Sequence, residues 1–140
     1  MPDSTPRPHA LVADDDPAMR ALLSELLRAE GLDVSEAADG RELFWGLERA
    51  ARGGGPALDL LLSDVRMPGY SGLSVLEALR NVNGPPAILM TAFPDGDVRR
   101  RAAKLGVVLL EKPFDLAALL RLVHQMLPDK PDARGRSSSR

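Results

Sequence analysis

The sequence predicts an α/β domain in which five strands and five helices alternate around a doubly wound parallel sheet. Three observations support this fold class. Short apolar runs alternate with segments whose apolar residues recur at helical spacing. The first, third and fourth of these runs are almost continuously apolar, as parallel strands covered on both faces should be. The chain has 140 residues, enough for one domain with a substantial core but too few for two.

The first half of the chain contributes two strand–helix units. The run HALVA predicts the first strand at 9–13, and the leucines that follow share one face of a predicted helix at 17–30. Gly31 stands where a left-handed cap would end that helix. The run DVSEA predicts the second strand at 33–37, and the apolar spacing after it predicts a helix at 40–51.

The second half contributes three more units of the same kind. The runs LDLLLS, PAILMT and VVLLE predict strands at 58–63, 86–91 and 107–111. Helical patterns follow these runs at 72–80, 95–105 and 115–127. Asp115 is the expected cap of the last helix.

The ends of the chain differ in composition from its body. Residues 1–8 and 128–140 are rich in proline, serine, glycine and charge. We therefore expect a flexible N-terminal arm and a flexible, basic, serine-rich tail around a folded body at 9–127. The tail carries a net charge of +2, which leaves −4 for the body. A mildly acidic body offers no domain-wide basic surface for nucleic acid.

The composition also excludes several classes of protein. The chain has no cysteine, which excludes a disulfide framework and thiolate metal sites and suits a reducing compartment. The first residues, MPDSTPRPH, lack the apolar core of a signal peptide, and no apolar run approaches the length of a membrane span. We therefore expect a cytoplasmic protein that does not contact a membrane.

Polar side chains stand at the carboxyl ends of the predicted strands. Asp14 and Asp15 follow the first strand, and Asp64 follows the third. Thr91 ends the fourth strand, and Lys112 follows the fifth. Ligands of open α/β sheets bind beyond these strand ends. Carboxylates suit Mg²⁺ and can act as nucleophiles, whereas a hydroxyl and an ammonium group can bond phosphoryl oxygens, so the pattern predicts a site for a divalent cation and a phosphoryl group.

Four segments carry a resemblance to a known family. In the order VADDDPAMR, SDVRMPGYSG, ILMTA and EKPFD, they resemble the receiver domain of two-component response regulators over about 120 residues, nearly the whole body. The resemblance implies a flavodoxin-like sheet with strand order 2-1-3-4-5. It also implies that Asp64 accepts a phosphoryl group from phosphohistidine on a sensor kinase or from a small acyl phosphate.

The resemblance further implies a bound Mg²⁺ or Mn²⁺. Asp15 and Asp64 would ligate the ion together with the backbone carbonyl of Arg66, and Asp14 would act largely through a bound water. A dication would neutralise the neighbouring carboxylates. Asp16 would instead point away and start the first helix.

The remaining residues implied by the resemblance bind the phosphoryl group. Thr91 would bond one phosphoryl oxygen and Lys112 another, and the small Ala92 leaves access open. The bond between Lys112 and Pro113 is expected to be cis, at a cost of about 0.5–1 kcal/mol for an X-Pro bond.

Two features depart from the usual family pattern. Leu109 stands where family members commonly carry Tyr or Phe, which leaves the helix at 95–105 to transmit the signal. Arg66 and Phe93 occupy the two positions that tune hydrolysis of the acyl phosphate. Because neither is a carboxylate or an amide that could position a water, we expect slow autodephosphorylation.

The leading interpretation is a single-domain response regulator, a phosphoacceptor switch and not an enzyme. The tail at 128–140 is too short to fold into a DNA-binding module, so output is expected through a partner protein and not through DNA. The expected partners are a sensor histidine kinase or a histidine phosphotransfer protein, and a target protein that binds residues 95–127. A homodimer on that face is an alternative, and the basic run Arg99–Arg101 is a solvated surface or a docking patch.

Three other functions stay open. The receiver could carry phosphate to a histidine phosphotransfer protein or drain it from a kinase. It could also be a scaffold that works without phosphorylation. From another class, an Mg²⁺-dependent phosphohydrolase with an aspartyl-phosphate intermediate would use a similar sheet, but such enzymes usually place a second aspartate where this chain has Arg66.

Overall fold

The computed structural model describes residues 7–80 and 84–127. The strands are β1 (His9–Ala13), β2 (Asp33–Ala37), β3 (Leu60–Asp64), β4 (Ala87–Thr91) and β5 (Val108–Glu111). The helices are α1 (Pro17–Ala29), α2 (Gly40–Ala51), α3 (Gly72–Ala78), α4 (Gly96–Leu105) and α5 (Leu116–Met126). The arm and tail predicted at 1–8 and 128–140 lie outside the described residues, except for Arg7 and Pro8.

All five strands form one parallel sheet in the order β2-β1-β3-β4-β5, which confirms the predicted fold class and strand order. The chain winds outward from β1 in one direction to β2 and in the other to β3, β4 and β5. The direction of winding therefore changes between β1 and β3. In sheets of this kind, the crevice at that switch point is where ligands bind.

Helices cover both faces of the sheet. On one face, α1 and α5 pack over a buried cluster that includes Leu23, Leu62 and Val123. On the other, α2 and α3 pack over a second cluster, and α3 and α4 pack over a third. The central strands β3 and β4 are buried along their whole length, whereas the edge strand β2 is mostly exposed and carries polar residues.

Every helix among the described residues begins at a capping side chain. The carboxylates of Asp16, Asp39, Asp95 and Asp115 and the hydroxyl of Ser71 each accept a backbone N–H of the first helical turn. Pro17 occupies the first turn of α1, where its missing N–H costs no hydrogen bond. Because each cap directly follows a strand or a short loop, the helices start near the carboxyl edge of the sheet.

The largest difference from the predicted bounds concerns β3. The predicted strand at 58–63 begins two residues early and ends one residue early, so Asp64 is the last residue of the strand and does not follow it. At the other end, the Asp59 carboxylate accepts the N–H of His9 at 2.9 Å, and this side-chain bond precedes the regular ladder. Helix α3 ends at Ala78, two residues before the predicted end.

No helix in the described parts of the chain combines the length and apolar character needed to cross a membrane.

Candidate functional site

Three carboxylates meet at the carboxyl edge of the sheet, in the crevice between β1 and β3. Asp14 and Asp15 follow β1 directly, and Asp64 ends β3. One oxygen from each carboxylate lies within 4.8 Å of those of the other two. Asp14 is fully buried and Asp64 is 8% exposed, whereas Asp15 is exposed. Like charges this close repel one another, and burial strengthens the repulsion, so the cluster favours a bound cation.

The side chain of Asp14 is held by one oxygen only. Its Oδ1 accepts the N–H of Asp16 at 2.9 Å, whereas Oδ2 is buried and has no hydrogen-bond partner. Lys112 Nζ lies 3.9 Å from that Oδ2. Burial raises the pKa of the Asp14 carboxyl above its ordinary value, and the charge of Asp64 raises it further. An orphaned, buried carboxylate oxygen beside two other carboxylates is a donor set that fits a hard cation such as Mg²⁺.

Asp64 is fixed on three sides. Its Oδ2 accepts from Lys112 Nζ at 3.0 Å, and its Oδ1 accepts from the backbone N–H of Arg66 at 3.3 Å. Behind it, helix α3 approaches so closely that a Cβ on Gly72 would lie 2.6 Å from the Asp64 carbonyl oxygen. The end of β3 and the start of α3 therefore set the position of this carboxylate.

Thr91 and Lys112 complete the edge of the site. Thr91 is almost fully buried at the end of β4, and its carbonyl accepts the N–H of Lys112 at 2.8 Å. The Thr91 Oγ1 accepts the N–H of Phe93 at 3.0 Å. The peptide bond between Lys112 and Pro113 is cis, as the sequence predicted. Ala92 is exposed next to Thr91.

The loops after β3 and β4 touch through their side chains. The guanidinium carbon of Arg66 lies over the ring of Phe93, 5.5 Å from its centroid. Both residues are exposed, and the Phe93 side chain lies largely in solvent. The sequence singled out these two residues separately, but nothing in it indicated that they touch.

Helix α4 lies beside the site and is tied to α3 by an ion pair that sequence reasoning missed. Two guanidinium nitrogens of Arg101 donate to the two carboxylate oxygens of Glu77 at 2.8 and 2.7 Å. Arg101 also donates to Asp97 within α4, at 3.3 Å. The Arg101 guanidinium lowers the pKa of the Glu77 carboxyl below its ordinary value. Arg101 is therefore held in an ion pair that the basic run Arg99–Arg101 did not indicate.

Leu109 lies in β5 and is partly buried against the apolar cluster beneath α4. The cluster itself consists of Val65, Leu73, Leu89, Val98 and Ala102. The side chain thus supports α4 from below, and it offers no aromatic ring at the place where an aromatic is usual.

Comparison with known proteins gives a consistent result. A sequence model of the response regulator receiver domain matches residues 10–124. The transcriptional activator protein PfeR of Pseudomonas aeruginosa is 38% identical over 117 residues, which cover 83% of this chain and 36% of PfeR. The transcriptional regulatory protein FixJ of Bradyrhizobium diazoefficiens is 34% identical over 125 residues, covering 88% of this chain and 58% of FixJ. The chain thus spans between about a quarter and three fifths of the length of the curated relatives it matches.

Solved structures show the same fold. The chemotaxis protein CheY4 of Vibrio cholerae superposes with a TM-score of 0.73 at 27% identity. The match covers 87% of this chain and 100% of CheY4.

Proposed function

The chain belongs to the response regulator receiver family, and from this premise we propose that Asp64 is the residue that accepts the phosphoryl group in a two-component pathway. The observation that carries this proposal is the surroundings of the Asp64 carboxylate. It is nearly buried at a strand end, receives a lysine ammonium at 3.0 Å, and lies among two further carboxylates within 4.8 Å. Phosphoryl transfer to aspartate requires a carboxylate nucleophile, acidic ligands for a metal ion, and a positively charged side chain that binds the phosphoryl oxygens.

A divalent cation, Mg²⁺ or Mn²⁺, belongs to the proposed site. The carboxylates of Asp15 and Asp64 and the backbone carbonyl of Arg66 would supply its oxygen ligands, and the orphaned oxygen of Asp14 would act largely through a bound water. When bound, the ion would offset the charge of the three carboxylates and of the incoming phosphoryl group.

In the proposed reaction, an oxygen of Asp64 attacks phosphorus. A P–N bond to the kinase histidine breaks, or a P–O bond to the carboxylate of an acyl phosphate, and the leaving group departs with its electron pair. Lys112 Nζ, now on Asp64 Oδ2, is placed to bond a phosphoryl oxygen instead. The Thr91 hydroxyl accepts from Phe93 and still has its own proton to donate to another phosphoryl oxygen.

The phosphorylated form is proposed to decay slowly. Hydrolysis of the acyl phosphate needs a water placed in line with the bond to Asp64, and a carboxylate or amide beside the site could hold it. The side chains that flank the site, Arg66 and Phe93, face each other and offer neither group. A time course of dephosphorylation checks this proposal, and loss of the phosphoryl group within seconds would contradict it.

The output of this receiver is proposed to pass through a partner that binds the face formed by α4, β5 and α5, within residues 95–127. The support is that α4 starts five residues after Thr91, so that a shift of the loop after β4 reaches it directly. The exposed residues of α4 are mostly charged. The stand-alone architecture, a homodimer on the same face and a role in shuttling phosphate stay predictions from the sequence.

The phosphohydrolase alternative has no support at residue 66. Its second acid or base would stand there, and the chain instead has an arginine whose guanidinium packs on a phenyl ring. Arginine stays protonated and cannot exchange a proton with a leaving group.

Intact-mass spectrometry after incubation with acetyl phosphate and Mg²⁺ tests the proposed function. We expect one phosphoryl adduct on the wild type, none on Asp64→Asn, and none when EDTA replaces Mg²⁺. Asp33→Asn is the matched control, because this exposed aspartate lies at the start of the edge strand β2, at the opposite end of the sheet. An adduct that persists on Asp64→Asn would contradict the assignment.

A further inference from the structure

We propose that Arg66 is an additional phosphoryl-binding residue, held on the ring of Phe93 until Asp64 is phosphorylated. The guanidinium would leave the ring for a phosphoryl oxygen, and the loop after β4 would thereby be released. This inference rests on the proposed function of Asp64. It makes Arg66 a second cationic group, besides Lys112, that binds the phosphoryl group. It also makes the contact between Arg66 and Phe93 the link from the phosphoryl group to α4.

Arg66 lies within reach of the proposed phosphoryl site. Its backbone N–H donates to Asp64 Oδ1 at 3.3 Å. The Arg66 side chain is therefore attached to backbone that lies next to the Asp64 carboxylate. Across residues 7–80 and 84–127, the guanidinium makes no ion pair and no side-chain hydrogen bond, and its close partner is the Phe93 ring. A cation with five N–H donors thus lies without an anionic partner at the edge of the proposed site.

A phosphoryl group binds the Arg66 guanidinium more strongly than the Phe93 ring does. A cation–π contact at an exposed position changes an equilibrium by only about two- to fivefold. A phosphoryl group brings close to two negative charges and three acceptor oxygens, and the planar guanidinium can bond two of those oxygens at once. The phosphoryl group is therefore the stronger partner, and the ring holds Arg66 only while Asp64 is unmodified.

Phe93 is itself hydrogen-bonded to its neighbours in the loop after β4. Its N–H donates to Thr91 Oγ1 at 3.0 Å, and its carbonyl accepts the N–H of Asp95 at 2.9 Å. Asp95 is the N-cap of α4 and accepts from Val98. Phe93 therefore connects Arg66 to the Thr91 hydroxyl and to the first turn of α4. Strand β5 has Leu109 where an aromatic residue is usual. In this chain, Phe93 in the loop after β4 is instead the aromatic residue proposed to respond to phosphorylation.

A double-mutant cycle with beryllium fluoride, a phosphoryl analogue, tests the exchange of partners. We expect Phe93→Leu to tighten analogue binding by about two- to fivefold, because Leu keeps an apolar side chain but cannot hold the cation. In an Arg66→Ala background, Phe93→Leu should leave the affinity unchanged. Tyr70→Leu is the matched control, because it removes another exposed aromatic on the loop after β3. An equal change in both backgrounds would overturn the inference.

The NMR signal of the Arg66 Nε–H gives a direct second measurement. In the free protein, the ring of Phe93 should shift this signal relative to its position in Phe93→Leu, and the difference should vanish when the analogue binds. A difference that persists in the complex would overturn this inference but leave the proposed function of Asp64 intact. If the wild type does not bind the analogue in an Asp64-dependent manner, the proposed function falls first and this inference falls with it.

Discussion

The carboxylate pocket and helix α4 lie side by side, but they are held in opposite ways. In the pocket, Asp14, Asp64 and Thr91 are buried at strand ends and fixed by backbone hydrogen bonds. In α4, only Val98 and Ala102 are buried, and a partly exposed ion pair joins the helix to α3. Elements with few buried apolar contacts open and shift at low cost in free energy. The residues of the proposed site are therefore fixed at the buried edge of the sheet. Helix α4, which is less buried, is the element expected to shift.

The largest effect is expected from a cation in the pocket. The Asp14 carboxyl is buried, and burial raises its pKa in the folded protein above the ordinary value of 3.8. Without a cation, the free energy of unfolding should therefore fall as the pH rises through the raised pKa, because ionising the buried carboxyl disfavours the fold. Mg²⁺ at a hundred times its Kd should add about 2.7 kcal/mol at neutral pH. Urea unfolding in EDTA and in Mg²⁺ measures both effects.

Asp14→Asn provides the control for this prediction. In EDTA at neutral pH it should be more stable than the wild type, because an amide carries no charge into the pocket. It should also gain much less from Mg²⁺. A variant that is less stable in EDTA would show that the pocket tolerates the buried charge without a cation.

A smaller effect should follow from crowding the start of α3 but not the start of α4. In Gly72→Ala, the new Cβ meets the Asp64 carbonyl oxygen at 2.6 Å and Ser63 Oγ at 2.9 Å. Overpacking of this kind costs about 1–3 kcal/mol, and the displaced strand end should also slow phosphorylation. Gly96→Ala is the matched change at the start of α4, where no atom lies within 4 Å. It should be neutral or stabilising by up to about 1 kcal/mol. Equal losses in both variants, measured by urea unfolding, would remove the contrast.

The smallest effect is expected from the ion pair between α3 and α4. Arg101→Ala should cost about 0.2–1 kcal/mol, because both side chains are partly exposed. Arg101 lowers the pKa of Glu77, so this contribution is present above the ordinary carboxyl pKa and is lost as the pH falls through the lowered value. At neutral pH, amide hydrogen exchange in α4 should be faster in Arg101→Ala than in the wild type.

Arg100→Ala is the matched control for Arg101→Ala. Arg100 pairs with Asp97 inside α4 and does not reach α3. If both variants speed exchange in α4 equally, the link to α3 is not what restrains the helix.

The sequence predicted the sheet and the strand-end residues because both depend on local patterns. Apolar runs of strand length mark the strands, and in a parallel sheet the carboxyl ends of these strands meet at one edge. Asp14, Asp15, Thr91 and Lys112 accordingly lie at the strand ends where the sequence placed them, and Asp64 differs by one position. The exact limits of β3 could not be predicted, because they are set by its pairing with β1 and β4, for which the local sequence carries no signal.

The contacts between elements could not be predicted from the sequence. Arg101 and Glu77 are 24 residues apart, and they meet only because α3 and α4 pack side by side over one apolar cluster. The contact of Arg66 with Phe93 likewise depends on the positions of two loops. Residue types and spacing carry no signal for such pairs, although both pairs bear on how the pocket could be coupled to α4.

Backbone amide NMR signals, followed while Mg²⁺ and then beryllium fluoride are added, test most directly whether α4 responds to the pocket. Mg²⁺ alone should shift the amides at Asp14–Asp16 and Asp64–Arg66 and leave those of α4 in place. The analogue should then shift the amides of Thr91–Phe93 and of α4 as well. Shifts in α4 with Mg²⁺ alone, or an α4 that stays unchanged when the analogue binds, would contradict the division between a rigid pocket and a responsive helix.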